Sequence, residues 1–376
     1  MSENVLITGG AGFIGSHLAD TLLKAGHQVT VLDILHPQVH GQMRKIPDYL
    51  DDRVRVIQGD IRDKEVLRET LVGKTTVYHF AAYTGVGQSM YQISEYLDVN
   101  VGGTAVLMEL LSEQKNSIKR LVLASSRAVY GEGVGNCPQC GLVHPAPRPI
   151  DQLRDGRWEV VCPNCGRAVQ SQPTSEETTA APYSIYAISK QNQEQVCLLI
   201  GETYNIPVVV LRFFNVYGPR QSLSNPYTGV ISTFITRMKN DRAIPVYEDG
   251  RESRDFVHIQ DVVQACELAL EQEAAVGKIF NVGSGEALTL LQIAQIVTEK
   301  FGGPELIISG QYRAGDIRHC TADLTLARKL LGYNPQITFS AGIDNLLADL
   351  RRQHWQDHSH IAEQELVKRG LASDGS

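Results

Sequence analysis

The segment Thr8-Gly9-Gly10-Ala11-Gly12-Phe13-Ile14-Gly15 decides the fold of this chain. It follows an apolar run and leads directly into residues 17–25, where Leu and Ala recur at helical spacing. Glycines in such a turn let the backbone approach a pyrophosphate, which the helix N-terminus then stabilises. Asp33 ends the next apolar run, about where a carboxylate binds the ribose 2′-hydroxyl of NAD and repels the 2′-phosphate of NADP. The alternative is a turn with spare glycines. The predicted cofactor contacts here are Gly9, Gly12, Phe13, Ile14, Gly15 and Asp33.

Strand-like and helix-like segments alternate over the first 125 residues. Short β-branched runs occur at 5–8, 28–33, 54–58, 76–80 and 120–125, with helical patterns between them. This alternation predicts an α/β protein with a Rossmann-type, doubly wound parallel sheet. We expect the NAD-binding domain to comprise 1–132 and 173–217, with 256–282 returning to it. The remainder divides into an insertion at 133–172, a smaller C-terminal α/β substrate lobe at 218–255 and 283–353, and a polar tail at 354–376.

Composition limits the partners. The chain has 376 residues with 35 basic and 42 acidic side chains, a formal net charge of −7. Nucleic-acid-binding domains normally carry a basic surface, so no nucleic-acid partner is expected. No apolar run approaches the roughly 20 residues that span a bilayer, so no membrane partner is expected either. The N-terminus enters the first strand without a secretory signal pattern, and the expected location is cytoplasmic.

Four of the seven cysteines form two matched motifs, Cys137-Pro-Gln-Cys140-Gly and Cys162-Pro-Asn-Cys165-Gly. Their spacing is close to that of zinc sites built from two CxxC pairs. The motifs predict a structural zinc ion bound by Cys137, Cys140, Cys162 and Cys165, with no open position for chemistry. Disulfides and a redox CxxC are the alternatives, although reducing conditions disfavour the first. The other three cysteines are expected to be buried bystanders.

Tyr186-Ala187-Ile188-Ser189-Lys190 places a phenol and an ammonium on one face of a predicted helix. A tyrosine pKa of about 10 must fall before the phenol acts as a base near neutrality, and nearby cations lower it. Ser126 ends the fifth predicted strand, at the sheet edge where such folds bind ligands. A chance Tyr-x-x-x-Lys match is the alternative for this motif in isolation.

Several motifs together resemble one family. Besides the glycine turn and Tyr186-x-x-x-Lys190, the chain contains Ser125-Ser126-x-x-Val-Tyr-Gly131, Ala81-Ala82, Asn100-Val-x-Gly-Thr104, Arg212-x-x-Asn215-Val-Tyr-Gly-Pro219, Arg254-Asp255-Phe256-Val257-His258 and Arg313-x-Gly-Asp316. Outside 133–172, the chain resembles the extended short-chain dehydrogenase/reductase family. The nucleotide-sugar epimerases and dehydratases are the most similar subgroup.

The resemblance implies roles for these residues. Tyr186 would be the base, Lys190 would hold the nicotinamide ribose and lower the pKa of the phenol, and Ser126 would bind the reacting oxygen. Further cofactor contacts would be Asp60, Ile61, Ala81, Ala82, Asn100, Tyr186 and Lys190. Substrate contacts would be Val86, Ser126, Arg127, Asn215, Arg254, Arg313 and Asp316. A helix N-cap is the alternative for Asp60, and a solvated surface position is the alternative for Arg254 and Arg313.

The residues after Ser126 reduce the number of reactions that the resemblance allows. Dehydratases of the family carry Asp-Glu at this point, and related decarboxylases carry Glu at the second position. Arg127 and Ala128 replace them here. The resemblance therefore implies a 4-epimerase: transient oxidation at C4 to a 4-keto sugar, then hydride return to the opposite face. A dehydrogenase or ketoreductase with net redox turnover is the alternative. A non-enzymatic NAD sensor is a third hypothesis, disfavoured by the intact Ser-Tyr-Lys set.

Two tracts indicate which nucleotide sugar is the substrate. Residues 33–41 and 222–229 resemble those of epimerases acting on dTDP-L-rhamnose, with UDP-glucose as the competing substrate. The implied partners are a nucleotide-diphosphate sugar and, from the family, a second copy of the chain in a homodimer.

Overall fold

A computed structural model describes residues 2–113, 118–222, 225, 227, 229–303, 305–350 and 359–373. Of residues 359, 360 and 363 it describes the backbone only. Parts of the tract 222–229, of the substrate lobe beyond 350 and of the predicted tail 354–376 therefore lie outside the described residues.

Sixteen short strands are assigned within these residues. They are β1 Asn4–Thr8, β2 Gln28–Asp33, β3 Arg55–Gln58, β4 Thr76–His79, β5 Arg120–Ser126, β6 Val134–Cys137, β7 Gly141–Val143, β8 Gln170–Gln172, β9 Val208–Phe213, β10 Asn215–Tyr217, β11 Ile244–Val246, β12 Ser253–His258, β13 Lys278–Val282, β14 Ala287–Thr289, β15 Leu306–Ile308 and β16 His319–Cys320.

The helices alternate with these strands. They are α1 Phe13–Lys24, α2 Pro37–His40, α3 Lys64–Leu71, α4 Val86–Ser89, α5 Ile93–Tyr96, α6 Gly103–Glu113, α7 Ile150–Arg154, α8 Ile185–Tyr204, α9 Val230–Lys239, α10 Ile259–Glu271, α11 Leu290–Phe301, α12 Thr325–Leu331, α13 Phe339–Leu350 and α14 Ser359–Lys368. A π-helical segment, Leu97–Gly102, joins α5 to α6, and 3₁₀ turns cover Arg127–Tyr130 and Glu273–Ala275. Among the residues described, no helix combines the length and apolar character needed to cross a bilayer.

The main sheet is parallel throughout and confirms the predicted fold class. Its seven strands lie in the order β13-β9-β5-β4-β1-β2-β3. One face packs against α1 and α10, and the other against α3, α6 and α8. From β1 the chain adds β2 and β3 on one side and β4, β5, β9 and β13 on the other, so a crevice opens at the carboxyl ends of β1 and β4, where the strand order reverses. Thr8, Asp33 and Ser126 end strands at this edge.

A second lobe has its own core and smaller sheets. β12 pairs with β10, β14 and β16, and β11 pairs with β15. Apolar residues of α9, α11 and α13 pack over these strands. The segment 256–282, predicted to return to the main sheet, divides: β13 joins that sheet and α10 packs against α1, whereas β12 belongs to the second lobe. The apolar residues of β12 are equally suited to either sheet, so the sequence does not distinguish the two positions.

The insertion at 133–172 is a small unit around the cysteines. β6 pairs with β7 and β8 in an antiparallel sheet. Its core consists of Cys137, Val143, Val160, Cys162 and Val169, with Cys165 packed alongside. A core this small rarely holds so short a segment without a metal or a covalent link.

The described part of the tail is more than polar surface. Helix α14 buries Ala362 and Leu366, and Leu371 after the helix donates its N–H to the carbonyl of Leu366. An apolar spacing of four residues places Ala362 and Leu366 on one helix face.

Candidate active site

The glycine turn between β1 and α1 is closely packed. Gly9 has φ +69°, and a Cβ there would lie 2.7 Å from the backbone nitrogen of Ala81. A Cβ on Gly15 would lie 2.5 Å from the Cα of Gly10. Both positions therefore require glycine, the first for its conformation as well. The N-cap of α1, Gly12, has no side chain, which leaves the helix N-terminus accessible to a diphosphate.

Asp33 is held at the end of β2 by backbone donors. Its carboxylate accepts hydrogen bonds from the N–H of Ala11 at 3.0 Å and of Leu35 at 2.8 Å. The Nε2 atom of His40 lies 3.9 Å from the same carboxylate. The side chain lines the cavity beside the glycine turn, as expected of a ribose-binding acid.

Asp60 follows β3 and also lines the cavity. Its carboxylate accepts hydrogen bonds from the backbone and guanidinium of Arg62, which lower its pKa. The alternative role of helix N-cap falls instead to Asp63, whose side chain accepts the N–H groups of Glu65 and Val66. The sequence did not separate these two carboxylates because both precede the same helix within one turn.

One cavity of about 1080 Å³ runs along the crevice between the two lobes. All but one of the predicted cofactor and substrate residues line it. The exception is Asn100, which is fully buried beneath the wall. Its amide bonds the backbone of Tyr83 and donates to Ser189 Oγ at 2.9 Å, so it supports the site from behind.

Ser126 and Tyr186 meet at the carboxyl end of β5. Ser126 Oγ accepts the N–H of Ala128 at 3.2 Å and is hydrogen-bonded to the Tyr186 phenol. Tyr186 stands at the start of α8, whose N-cap Ser184 accepts the N–H of Ala187. Burial raises the pKa of Tyr186, whereas the Ser126 hydrogen bond and the positive charge of Arg127 lower it.

Lys190 lies one helical turn after Tyr186 and is almost fully buried. Its ammonium donates to the carbonyl of Ala124 at 2.9 Å. Burial lowers the pKa of Lys190 to about 8. The ammonium therefore has donors to spare for a ligand in the cavity, since one bond to Ala124 leaves two N–H groups.

Arg127 presents a buried guanidinium to the cavity. Within the described part of the chain, its Nη1 atom has no hydrogen-bond partner. Burial and the charge of Arg254 lower its pKa, while Cys320 accepts a hydrogen bond from it. A buried N–H group without a partner is costly, so Nη1 of Arg127 is suited to bind an oxygen of a ligand.

The predicted clamp residues differ in exposure. Arg254 is buried, with its Nη1 donating to the carbonyls of Ser253 and Arg318 and its Nη2 3.7 Å from Asp316. Arg254 is therefore not a solvated surface residue, and that alternative is wrong. Arg313 is exposed at the cavity rim, with its guanidinium 5.1 Å from the centre of the Tyr247 ring. Asn215 lines the opposite side, and its buried Oδ1 has no partner among the described residues.

The four predicted metal ligands converge. Their Sγ atoms all lie within 4.8 Å of one another, and Cys137 and Cys165 are 3.5 Å apart. Thiolates at about 2.3 Å from a tetrahedral zinc ion would be separated by a similar distance, whereas a disulfide needs about 2.05 Å. The glycine after each CPxC motif, Gly141 or Gly166, has a positive φ. Cys197, Cys266 and Cys320 are buried, as expected.

Part of the cavity wall consists of residues that no sequence motif indicates. The cavity is also lined by Tyr49, Tyr183, Arg220, Tyr227, Ala362, Leu366 and Leu371. Only the Ala362–Leu366 spacing offered a sequence signal, and the polar residues around it obscured that signal. The structure describes all of 133–172, yet none of these residues lines the cavity.

Comparisons with known proteins agree with this geometry. The model of the NAD dependent epimerase/dehydratase family matches residues 5–149 and 161–283. The chain is 35% identical over 347 residues to a dTDP-L-rhamnose 4-epimerase of Burkholderia thailandensis, covering 92% of this chain and 94% of that protein.

Two solved structures are also similar. UDP-glucose 4-epimerase from Thermotoga maritima, solved with UDP-glucose, has a TM-score of 0.75 and 28% identity, covering 93% of this chain and 99% of that one. UDP-glucuronic acid 4-epimerase from Bacillus cereus, solved with UDP-glucuronic acid and NAD, has a TM-score of 0.75 and 26% identity, covering 93% and 100%.

Proposed function

This chain belongs to the NAD dependent epimerase/dehydratase family, and we propose that it is an NAD-dependent nucleotide-sugar 4-epimerase that acts on dTDP-L-rhamnose. The observation that carries the proposal is the meeting of Ser126 and Tyr186, with Lys190 one helical turn further on, inside a cavity of about 1080 Å³. Arg127 and Ala128 follow Ser126, so the acid and base of a dehydratase are missing from those positions.

The residues present fit NAD. The glycine turn exposes the N-terminus of α1 for the diphosphate, and Asp33 is fixed where a ribose would hydrogen-bond. Lys190 would hold the nicotinamide ribose. When bound, NAD supplies a hydride acceptor that returns the hydride in the second half of the reaction.

The chain itself moves the proton and holds the sugar. Tyr186 removes the proton of the C4 hydroxyl and later returns it, and Ser126 hydrogen-bonds the same oxygen throughout. Arg127 stabilises the negative charge of the phenolate because its cation lies nearby. Arg254 and Arg313 neutralise the diphosphate. The cavity gives the 4-keto sugar room to turn before reduction on its other face.

The preference for dTDP-L-rhamnose is supported by two tracts that meet in space. Gln38 donates from its amide to Asn225 Oδ1 at 3.0 Å and to Gln88 Oε1 at 3.2 Å. Ser222 Oγ donates to the carbonyl of Val39 at 3.3 Å. Gln38 and Val39 of the first tract and Ser222 and Asn225 of the second thus contact each other and line the cavity, which supports a joint role in substrate recognition.

Zinc is proposed as a structural ion of the insertion. The four thiol groups match a closed tetrahedral donor set and fill the place of a larger apolar core. Such a site leaves no position for substrate and requires reduced thiols, as in a cytoplasmic setting.

A homodimer is proposed through helix α8. Ile188 and Leu199 are exposed apolar residues three turns apart on this helix, and the exposed fraction of Leu199 is 64%. Pairing such a face with a second copy would remove it from water. Sedimentation of the purified protein tests this assignment, and a monomer at micromolar concentration would contradict it.

Incubation with dTDP-L-rhamnose in D₂O without added NAD tests the function. We expect the C4 epimer to appear in the NMR spectrum with protium kept at C4, because the hydride never exchanges with solvent. Formation of a 4-keto sugar together with an equal amount of NADH, only when NAD⁺ is supplied, would show the alternative, a dehydrogenase with net redox turnover. Conversion of UDP-glucose but not of dTDP-L-rhamnose would support the proposed 4-epimerisation and contradict the proposed substrate.

A further inference from the structure

The segment 362–371 contributes apolar side chains to the wall of the cavity. Ala362, Leu366 and Leu371 all line the cavity, and Leu366 is only 5% exposed. They face Val86 and Met90, two exposed apolar side chains that also line it. Apolar side chains from two distant parts of the chain thus form one continuous wall.

Contacts on both sides hold this segment in place. A Cβ on Gly87 would lie 3.2 Å from a methyl carbon of Leu366, so α14 packs directly on α4. The guanidinium of Arg369 lies 4.3 Å from the centre of the Tyr91 ring. On the other side, Ala314 donates its N–H to the carbonyl of Leu371 at 3.0 Å. The segment therefore spans from α4 to the loop that carries Arg313.

Helix α4, on which Leu366 packs, is connected to Tyr186 through Tyr96. Tyr96 packs against Tyr186, and its phenol bonds both the Gly85 N–H and Gln88 Oε1. Gly85 is the N-cap of α4, so one side chain connects that helix to Tyr186. Since the proposed function puts C4 of the sugar at Tyr186, we assign the neighbouring C6 substituent to the side of the cavity formed by α4 and Leu366.

We propose that residues 362–371, with Leu366 at their centre, select a nucleotide sugar whose C6 is a methyl group over one with a C6 hydroxyl. The inference rests on the proposed epimerase function and deepens it. A methyl group packs against aliphatic side chains without loss, whereas a hydroxyl enclosed there loses its hydrogen bonds with water. An apolar pocket discriminates against an added hydroxyl by up to about 100-fold.

Two substrates that differ only at C6 test the proposal. They are dTDP-L-rhamnose and dTDP-L-mannose, its 6-hydroxy counterpart. We expect the native protein to favour dTDP-L-rhamnose in kcat/KM by about 10- to 100-fold. Leu366→Gln, which offers an amide to the hydroxyl, should bring this ratio towards one.

Ile361→Gln is the matched control, because Ile361 lies on the same helix, is half exposed and does not line the cavity. Its ratio should equal that of the native protein. If Leu366→Gln does not fold, Leu371→Gln tests the same wall from the partly exposed turn after α14.

The failures are distinguishable. A native kcat/KM ratio near one would overturn the role of the wall. A folded Leu366→Gln or Leu371→Gln protein that keeps the native ratio would overturn it as well. In both cases the proposed epimerisation itself stands. If only UDP-sugars react, the same ratio is measured with UDP-glucose and its 6-deoxy counterpart. If no nucleotide sugar is epimerised, the proposed function fails, and the selection for a methyl group fails with it.

Discussion

The guanidinium of Arg148 lies 2.7 Å from a carboxylate oxygen of Glu248, and both side chains are withdrawn from solvent. Arg148 belongs to the insertion and Glu248 to the substrate lobe. The same guanidinium donates to the carbonyls of Trp158 and Asp316. Asp316 is in the Arg313-x-Gly-Asp316 motif, so the insertion contacts the loop of the proposed diphosphate clamp without lining the cavity itself.

Replacing Arg148 by Met should destabilise the protein and loosen the clamp. Removal of one partner from a buried ion pair leaves a carboxylate poorly compensated and costs about 3 kcal/mol. Arg318 still pairs with Glu248, which keeps the loss from being larger. We expect a lower free energy of unfolding in guanidinium chloride and a raised KM for the nucleotide sugar, with NAD affinity unchanged.

Arg154→Met is the control for that substitution. Arg154 pairs with Asp151 in the same insertion, but both side chains are largely exposed, so the loss should be below about 1 kcal/mol. Equal effects of the two substitutions would contradict a specific role for the buried pair.

Cys140→Ser should release the metal and destabilise the insertion. Structural zinc contributes folding free energy directly, and one missing thiolate opens the tetrahedron. We expect about one zinc ion per native chain by mass spectrometry, a clear loss in the variant, and a melting temperature lowered by roughly 5 °C. Asn164→Ser alters the second CPxC motif without removing a ligand and should keep its zinc. A native protein free of zinc would rule out the site.

Tyr186→Phe should lower kcat by about 100- to 10,000-fold while NAD still binds. The substitution removes only the hydroxyl that accepts the sugar proton, and the ring stays packed against Tyr96. Tyr204→Phe, at the half-exposed end of the same helix, should retain full activity. The measurements are turnover by NMR and NAD titration by calorimetry. Comparable turnover in both variants would remove Tyr186 from catalysis.

Arg127→Met should shift the pH dependence of the reaction. Burial raises the pKa of Tyr186, and the Ser126 hydrogen bond and the Arg127 cation oppose that effect. A base acts when deprotonated, so activity rises as the pH passes upward through the pKa of the phenol. Without the cation that pKa increases, and the rising limb of kcat/KM should move to higher pH by roughly 1 unit.

Arg127→Lys keeps the positive charge and should move the limb much less. An unchanged limb in Arg127→Met, or a shift to lower pH, would show that Arg127 does not stabilise the phenolate. The two variants also separate charge from shape, because lysine lacks the planar fork that binds two oxygens.

Local sequence was sufficient for the fold class and for selecting residues most of which line one cavity. The glycine turn, the Tyr186–Lys190 spacing and the two CPxCG motifs each act within a few residues, where backbone conformation follows from side-chain size and hydrogen bonding. Parallel strands then carry Asp33 and Ser126 to one edge, because every strand of the main sheet ends there. These residues were therefore predictable before any contact between them was known.

Other features depend on residues far apart in the chain. Asp63, not Asp60, caps helix α3, and Asp60 is bound instead by the guanidinium of Arg62. Asn100 lies behind the cavity wall because its side-chain amide donates a hydrogen bond to Ser189 on another helix. Nothing in the local pattern states which distant group will satisfy a given donor.

The sequence by itself determined an NAD-type α/β fold, the Ser126, Tyr186 and Lys190 set and the four converging thiols, since short-range backbone and spacing rules govern each. Only the tertiary structure decided that Arg148 of the insertion contacts Glu248 and Asp316 of the substrate lobe and that Leu366 lines the cavity. Both contacts join separate lobes or segments, and their partners are chosen by burial of charge and apolar surface when the whole chain packs.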